Sequence, residues 1–113
     1  MAVFYKNQGF NLNTTNLTTT LTIATDSNAI VKSISVTNES NTSVLTEMYV
    51  YDASATTNFE FYHAKIPGNC TDQAAGQVLN LEANDAIKIQ VATSDVIKGV
   101  ISYALLNRTD QNG

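Results

Sequence analysis

Hydrophobic positions along this chain recur with a period of two rather than 3.6. From Leu17 the alternation is strict, with Leu17, Thr19, Leu21 and Ile23 on one side and Thr18, Thr20 and Thr22 on the other. Period two with one apolar side predicts a half-buried strand. A run of Thr also disfavours a helix, because its χ1 freedom is lost against the preceding turn. After a turn at Asp26-Ser27-Asn28, residues 29–66 hold three runs dense in β-branched and aromatic residues, separated by two polar breaks. In the first run Ile30, Ile34 and Val36 share a face that Lys32 interrupts, opposite Val31, Ser33, Ser35 and Thr37. The second is apolar on both sides, with Val44, Met48 and Val50 against Leu45, Tyr49 and Tyr51. In the third, Tyr62, Ala64 and Ile66 oppose Phe59, Phe61 and His63. Such a series reads as consecutive antiparallel strands.

The remainder continues in kind. Pro67-Gly68-Asn69 is a strong turn that opens a loop through Gly76, and Val78–Leu81 is a short strand. Glu82–Asp85 is a turn, and Ala86–Ala92 alternates with Ile87, Ile89 and Val91 inward and Lys88 and Gln90 outward. Val96–Leu106 is a long last strand, apolar on both sides, in which Gly99 marks a bulge or a close backbone approach. At the start, Ala2–Lys6 is strand-like and Asn7-Gln8-Gly9 breaks it. This segment either adds an edge strand or reaches onto a neighbour as an arm, and Phe4, Tyr5 and Phe10 favour a docked state over a loose one. Turn signals every 8–12 residues or so and no helical period predict an all-β fold. The expected architecture is a single-domain antiparallel β-sandwich, jelly-roll-like or Ig-like, of about seven or eight strands. Residues 1–10 are expected as an N-terminal segment or arm, 11–106 as the sandwich, and 107–113 as a polar tail.

With residues 52–58 as a hairpin loop, Tyr51 is expected near Phe59, Tyr49 near Phe61 and Glu47 near His63. A two-layer sandwich uses one face of that hairpin for its core. The even-numbered face, Val44, Met48, Val50, Tyr62 and Ile66, can supply it, and the pattern equally admits the reverse assignment; taken this way round, one face is in surplus. Leu45, Tyr49, Tyr51, Phe59 and Phe61 are then left over and need a partner, because large apolar patches on a soluble monomer mark contact sites. Together with Val3, Phe4, Tyr5 and Phe10 they are the expected interface residues.

Composition narrows the choice of function. The 113 residues make one domain, and the hydrophobic fraction of 43% is ordinary. Charged residues make only 14%, against a typical figure of about 25%. Ser, Thr and Asn carry most of the polarity, which suits a neutral, hydrogen-bonding exterior. A net charge of −4 with six scattered basic residues argues against direct nucleic-acid binding, which needs a basic stripe. No apolar h-region follows Met1 and no apolar run reaches the length of a membrane span, so the chain is expected to be soluble and made in a cytoplasm.

Candidate chemistry is sparse. Cys70 is the single cysteine and His63 the single histidine. Cys70 has no partner for a disulfide and no metal-ligand spacing around it, and a tolerated loop cysteine accounts for it. His63 is the one side chain of a type that titrates near neutral pH, and a surface role beside Glu47 accounts for it. Asp52, Asp72, Asp85, Asp95 and Asn84 sit at turns without calcium-loop spacing, where turn chemistry explains them. Six Asn-x-Ser/Thr triplets follow from a composition rich in Asn and Thr; with no signal peptide they are not expected to carry glycan. A sugar groove is not indicated, for there is no Trp and the tyrosines lie at strand positions. No enzyme activity, metal or cofactor is expected.

The segments A-I-V-K-S-I-S-V-T-N, V-Y-D-A-S, F-Y-H-A-K-I-P, L-N-L-E-A-N-D-A-I-K-I-Q and V-I-S-Y-A, spread over residues 29–104, resemble small virion proteins of tailed bacteriophages, cyanophages in feel. The resemblance rests on strand and turn motifs and not on a chemical signature. It implies a compact β-sandwich that assembles on the particle as a capsid decoration (cement) protein, contacting the major capsid protein or other virion proteins. It implies location in the virion, and the surplus apolar face meeting its copy leads to the expectation of a homo-oligomer, with a trimer favoured. The same resemblance admits a tail, neck or fibre-attachment component. A host-glycan-binding module is a rival from another class.

Overall fold

A computed structural model describes residues 2–75 and 78–107. They form nine strands and no helix: β1 (Ala2–Leu12), β2 (Thr18–Thr22), β3 (Ser27–Asn38), β4 (Val44–Asp52), β5 (Thr57–Ile66), β6 (Cys70–Gln73), β7 (Leu79–Leu81), β8 (Ala86–Val91) and β9 (Ile97–Asn107). One sheet runs β1-β9-β3-β6, with β7 also paired to β3, and the other runs β2-β8-β4-β5. All pairings are antiparallel. The two sheets face each other as a β-sandwich, and this strand order is that of an eight-stranded jelly roll with its sixth strand split into β6 and β7. Of the two expected sandwich types the Ig-like order is therefore the one not adopted. The body measures 52 × 26 × 23 Å.

Strand count exceeds the seven or eight expected because of residues 70–73. Read as loop, they form β6, with Ser35↔Gln73 and Asn38↔Cys70 as the outer partners of its register. The segment Cys-Thr-Asp-Gln is exposed throughout and has no alternation of its own; the neighbouring edge of β3 imposes the strand. Likewise β1 does not break at Asn7-Gln8-Gly9. It pairs β9 in unbroken register from Ala2↔Asn107 to Leu12↔Ile97, since tertiary pairing overrides weak β-propensity. The N-terminal segment is thus an edge strand, and the boundary expected at residue 10 falls inside it. Asn107 ends β9, and the rest of the expected tail lies outside the described residues.

The core is aliphatic. Ile34, Met48, Ile87, Ile89, Ile97 and Ile101 are fully buried, and burying each such side chain contributes roughly 1.5–3 kcal/mol. Within β3 the inward set is Ala29 and Val31, then Ile34, Val36 and Asn38, and the phase changes at a bulge between Val31 and Ser33. The face that grouped Ile30 with Ile34 and Val36 is corrected accordingly: Lys32 is the extra residue, and Ile30 points outward. Gly99 marks close approach rather than a bulge, since a Cβ there would lie 2.5 Å from Cζ of Phe10. The ring of Phe10 occupies the space a side chain at position 99 would need.

Polar anchors close both ends. Asn38 is fully buried; its amide donates to the carbonyls of Thr42 (2.8 Å) and Ile66 (2.9 Å), and its oxygen accepts from Ser40 N (2.9 Å) and Oγ (2.7 Å). At the other end the buried carboxylate of Asp85 accepts from Ala53 N at 3.0 Å and Glu82 N at 2.8 Å. Asn69, Asn84 and Asp95 turn the chain at positive φ, a conformation that Asn and Asp tolerate better than other side chains.

Candidate assembly surfaces

The expected interface residues separate into three groups. Leu45, Tyr49 and Tyr51 point outward from the β2-β8-β4-β5 sheet, all half-buried. Phe59 and Phe61 do not join them. A register shift between Met48 and Tyr49 pairs Tyr49 with Glu60, Val50 with Phe59 and Tyr51 with Asn58. The expected pairs Tyr51–Phe59 and Tyr49–Phe61 are therefore not formed, whereas Glu47↔His63 is. Phe61 is the extra residue of the bulge and packs against the core. Phe59 shares the side of Val50 at the far end of the hairpin and stays 53% exposed. One added residue moves every following side chain to the other face, which dissolves the five-residue aromatic face read from the sequence.

What remains on that face is a mosaic of rings and charges. Lys88 Nζ lies 4.3 Å from the ring centroid of Tyr51, and Lys65 is the cross-strand neighbour of Leu45. Tyr49 donates its hydroxyl to Glu47 Oε2 at 3.1 Å. Burial, then the bond to and charge of Glu47, push its phenol up to about 12. The bulge also brings Glu60 to the outer side, beside His63. Nδ1 of His63 lies 3.1 Å from Glu60 Oε2 and 3.4 Å from Glu47 Oε2, and the hydrogen bond from His63 holds the Glu60 carboxyl below its ordinary value. The donor atoms of Glu47, Glu60 and His63 lie within 4.8 Å of one another, close enough to ligate a divalent ion; an imidazole hydrogen-bonded between two carboxylates accounts for the same convergence. No sequence signal marks Glu60, because the bulge that delivers it contains neither Gly nor Pro.

The second group lies on β1. Val3, Phe4 and Tyr5 are 50%, 44% and 77% exposed. Val3 and Tyr5 share the outer side with Leu106 and Ala104, their partners on β9. Lys32, the bulge residue of β3, reaches to 5.1 Å from the Tyr5 ring. Phe10, the third case, turns inward and packs against the core. The middle of this sheet's outer face is polar, with Ser35, Thr37, Glu39 and Lys98 lining a shallow depression beside Gly99 and Val100. Lys98 and Glu39 pair there at 2.9 Å.

Cys70 is exposed on β6. Next to it the two sheets are tied at their rim by Tyr62, whose hydroxyl donates to Asp72 Oδ2 at 2.6 Å; burial and that bond raise its phenol.

No protein-family model and no curated protein matches this chain. Solved structures do. A chain from the acid-stable capsid of Helicobacter pylori bacteriophage KHP30 superposes with a TM-score of 0.58 at 14% identity, covering 96% of this chain and 90% of that one. A subunit of Bacillus endospore appendages, disulfide-linked pili, superposes at 0.52 with 10% identity, over 91% and 85% of the two chains. A cyanophage Pam1 capsid chain is 19% identical over 92% and 81%, at a TM-score of 0.40, too loose a superposition to add to these. At such identities the likeness is one of fold: this chain has the sandwich found in both assemblies.

Proposed function

We propose that this chain is a structural subunit of a phage virion and sits on the head as a decoration (cement) protein, bound to the major capsid protein. The observation that carries the reading is the superposition on the KHP30 capsid chain, near complete in both directions, so that the match is to a chain of about this size and not to one domain of a larger one. Two features of the molecule support it. The chain is poor in charged residues, at 14%, and rich in Ser, Thr and Asn. Its exposed aromatic residues are gathered on β1 and at the end of the β4–β5 hairpin. In this reading Val3, Phe4 and Tyr5, with Leu45, Tyr49 and Tyr51 on the other sheet, make the contacts to neighbouring proteins, and the chain acts without chemistry of its own.

Adding the purified protein to heads assembled without it tests the reading. Saturable binding, with heads that then withstand a higher temperature before releasing DNA, is the expected result. Binding to tails or necks and not to heads would transfer the role to the tail, neck or fibre-attachment site. Failure to bind any virion part, with hits on a glycan array, would replace it by a host-surface module. The likeness to a pilus subunit favours one further reading, a filament of stacked copies, which electron microscopy of the purified protein at high concentration would reveal directly.

A further inference from the structure

A sandwich has four lateral edges, and three of them here are blunted. The edge opposite β1 is broken into β6 and β7, of four and three residues. The β2 edge is five residues long and its pairing with β8 is irregular between Thr19 and Leu21. The β5 edge is bent by the bulge at Phe61 and carries Glu60, His63 and Lys65. These are the devices by which sheet proteins avoid pairing edge to edge. β1 has one of them at most, the lone charge of Lys6. It is 11 residues long, its pairing with β9 has no register shift, and it contains no proline and a single charge, Lys6. Among the described residues it is paired on one side only.

We infer that the free edge of β1 pairs antiparallel with β1 of a second copy of this chain, about a two-fold axis at Asn7. Self-pairing is what the strand's own sequence suits. The register that engages all 11 residues, Ala2 to Leu12, sets Asn7 opposite Asn7. It sets Phe4 opposite Phe10 on the inner side, an aromatic pair of the kind that stabilises sheets. On the outer side Tyr5 comes opposite Gly9, where an added Cβ would meet only the carbonyl of Gly99 at 3.9 Å, so there is room for the ring. Lys6 falls opposite Gln8, and no like charges meet. A shift by one residue toward the N-terminus would set Lys6 against Lys6, and a shift the other way would set Lys6 against Phe10. None of the ten acidic residues lies on β1, so the negative charge of the two copies stays off the seam. The product is one continuous sheet through both sandwiches, closed by the isologous symmetry most common among homo-oligomers. This pairing extends the assembly role without depending on a capsid, because solution mass reads the edge and head binding reads the role. It replaces the trimer expected from the sequence with a two-fold unit.

Sedimentation of the full chain at micromolar to submillimolar concentration is the test. Wild type is expected at twice the 12.2 kDa chain mass. Asn7→Glu and Asn7→Lys each place like charges on the axis and are expected at single mass when alone, while an equimolar mixture returns to twice that mass. A second measurement does not depend on weakening the pair. Directly opposed residues in antiparallel strands have Cα atoms about 4.5–5.5 Å apart, within the span of a disulfide. Asn7→Cys in a Cys70→Ser background should therefore cross-link on mild oxidation, and Val3→Cys in the same background should not. The inference is overturned by a wild type that stays at single mass, by a trimer, by dimers indifferent to Asn7→Glu, or by equal cross-linking at positions 3 and 7.

Discussion

At the scale of single residues, the polar groups that hold this molecule are few and specific. Asn38 satisfies two carbonyls and two donors from inside the protein, and an orphaned buried polar group costs about 1–3 kcal/mol. Asn38→Ala is accordingly expected to lower unfolding free energy by about that amount in urea titrations; a loss within error would mean that water replaces the side chain. Glu60 gives a pH dependence of definite sign. Its carboxyl is held below 4.5 chiefly by the hydrogen bond from His63. A depressed folded-state pKa contributes stability that is present above the unfolded value and is lost as pH falls through the folded one. Carbon-detected NMR should therefore find Glu60 titrating below 4.5, and His63→Ala should move that titration upward. An unmoved midpoint would show that His63 does not set it.

At the scale of elements, three register shifts decide which side chains face where. Each moves a residue across the sheet: Lys32 in β3, where the charge marked the break, Phe61 in β5, and Thr20 in β2. The last corrects the strict alternation expected from Leu17, since Leu21 and Ile23 are buried and Leu17 is exposed. A period-two pattern reports that a strand exists; it does not report a place where two residues oppose one. Pairing also ranks the strands by stability. β3 and β9 are long and paired on both sides, β4 and β8 are central in the other sheet, and β5 and β6 lie at edges. Local opening in proteins starts where few partners hold the backbone. Hydrogen-exchange mass spectrometry should find the slowest amides in β3, β9, β4 and β8 and the fastest in β6 and the outer half of β5. Protection of β6 equal to that of β9 would contradict this order.

At the scale of the whole molecule, the first strand pairs the last, and each sheet draws strands from both halves of the chain. The all-β class, most strand positions, the turn at Pro67-Gly68-Asn69 and the inward set of β8 were legible in the sequence, because side-chain alternation and turn chemistry are local properties of the backbone. Which face of the β4–β5 hairpin is the core was left open by the sequence; the structure chooses the even-numbered one, of which Val44, Met48 and Ile66 are fully buried. The jelly-roll order, the conversion of residues 70–73 into a strand, the continuation of β1 through Asn7-Gln8-Gly9 and the gathering of Glu60 with His63 were not legible. The first three depend on partner strands distant along the chain, whose backbone hydrogen bonds outweigh local propensity, and the last on the bulge within the β4–β5 hairpin. The split of the expected apolar surface follows from that same bulge. Residue types alone determined that this chain folds as a sheet sandwich with apolar groups to spare; only the register of strand on strand decided which of those groups reach the surface.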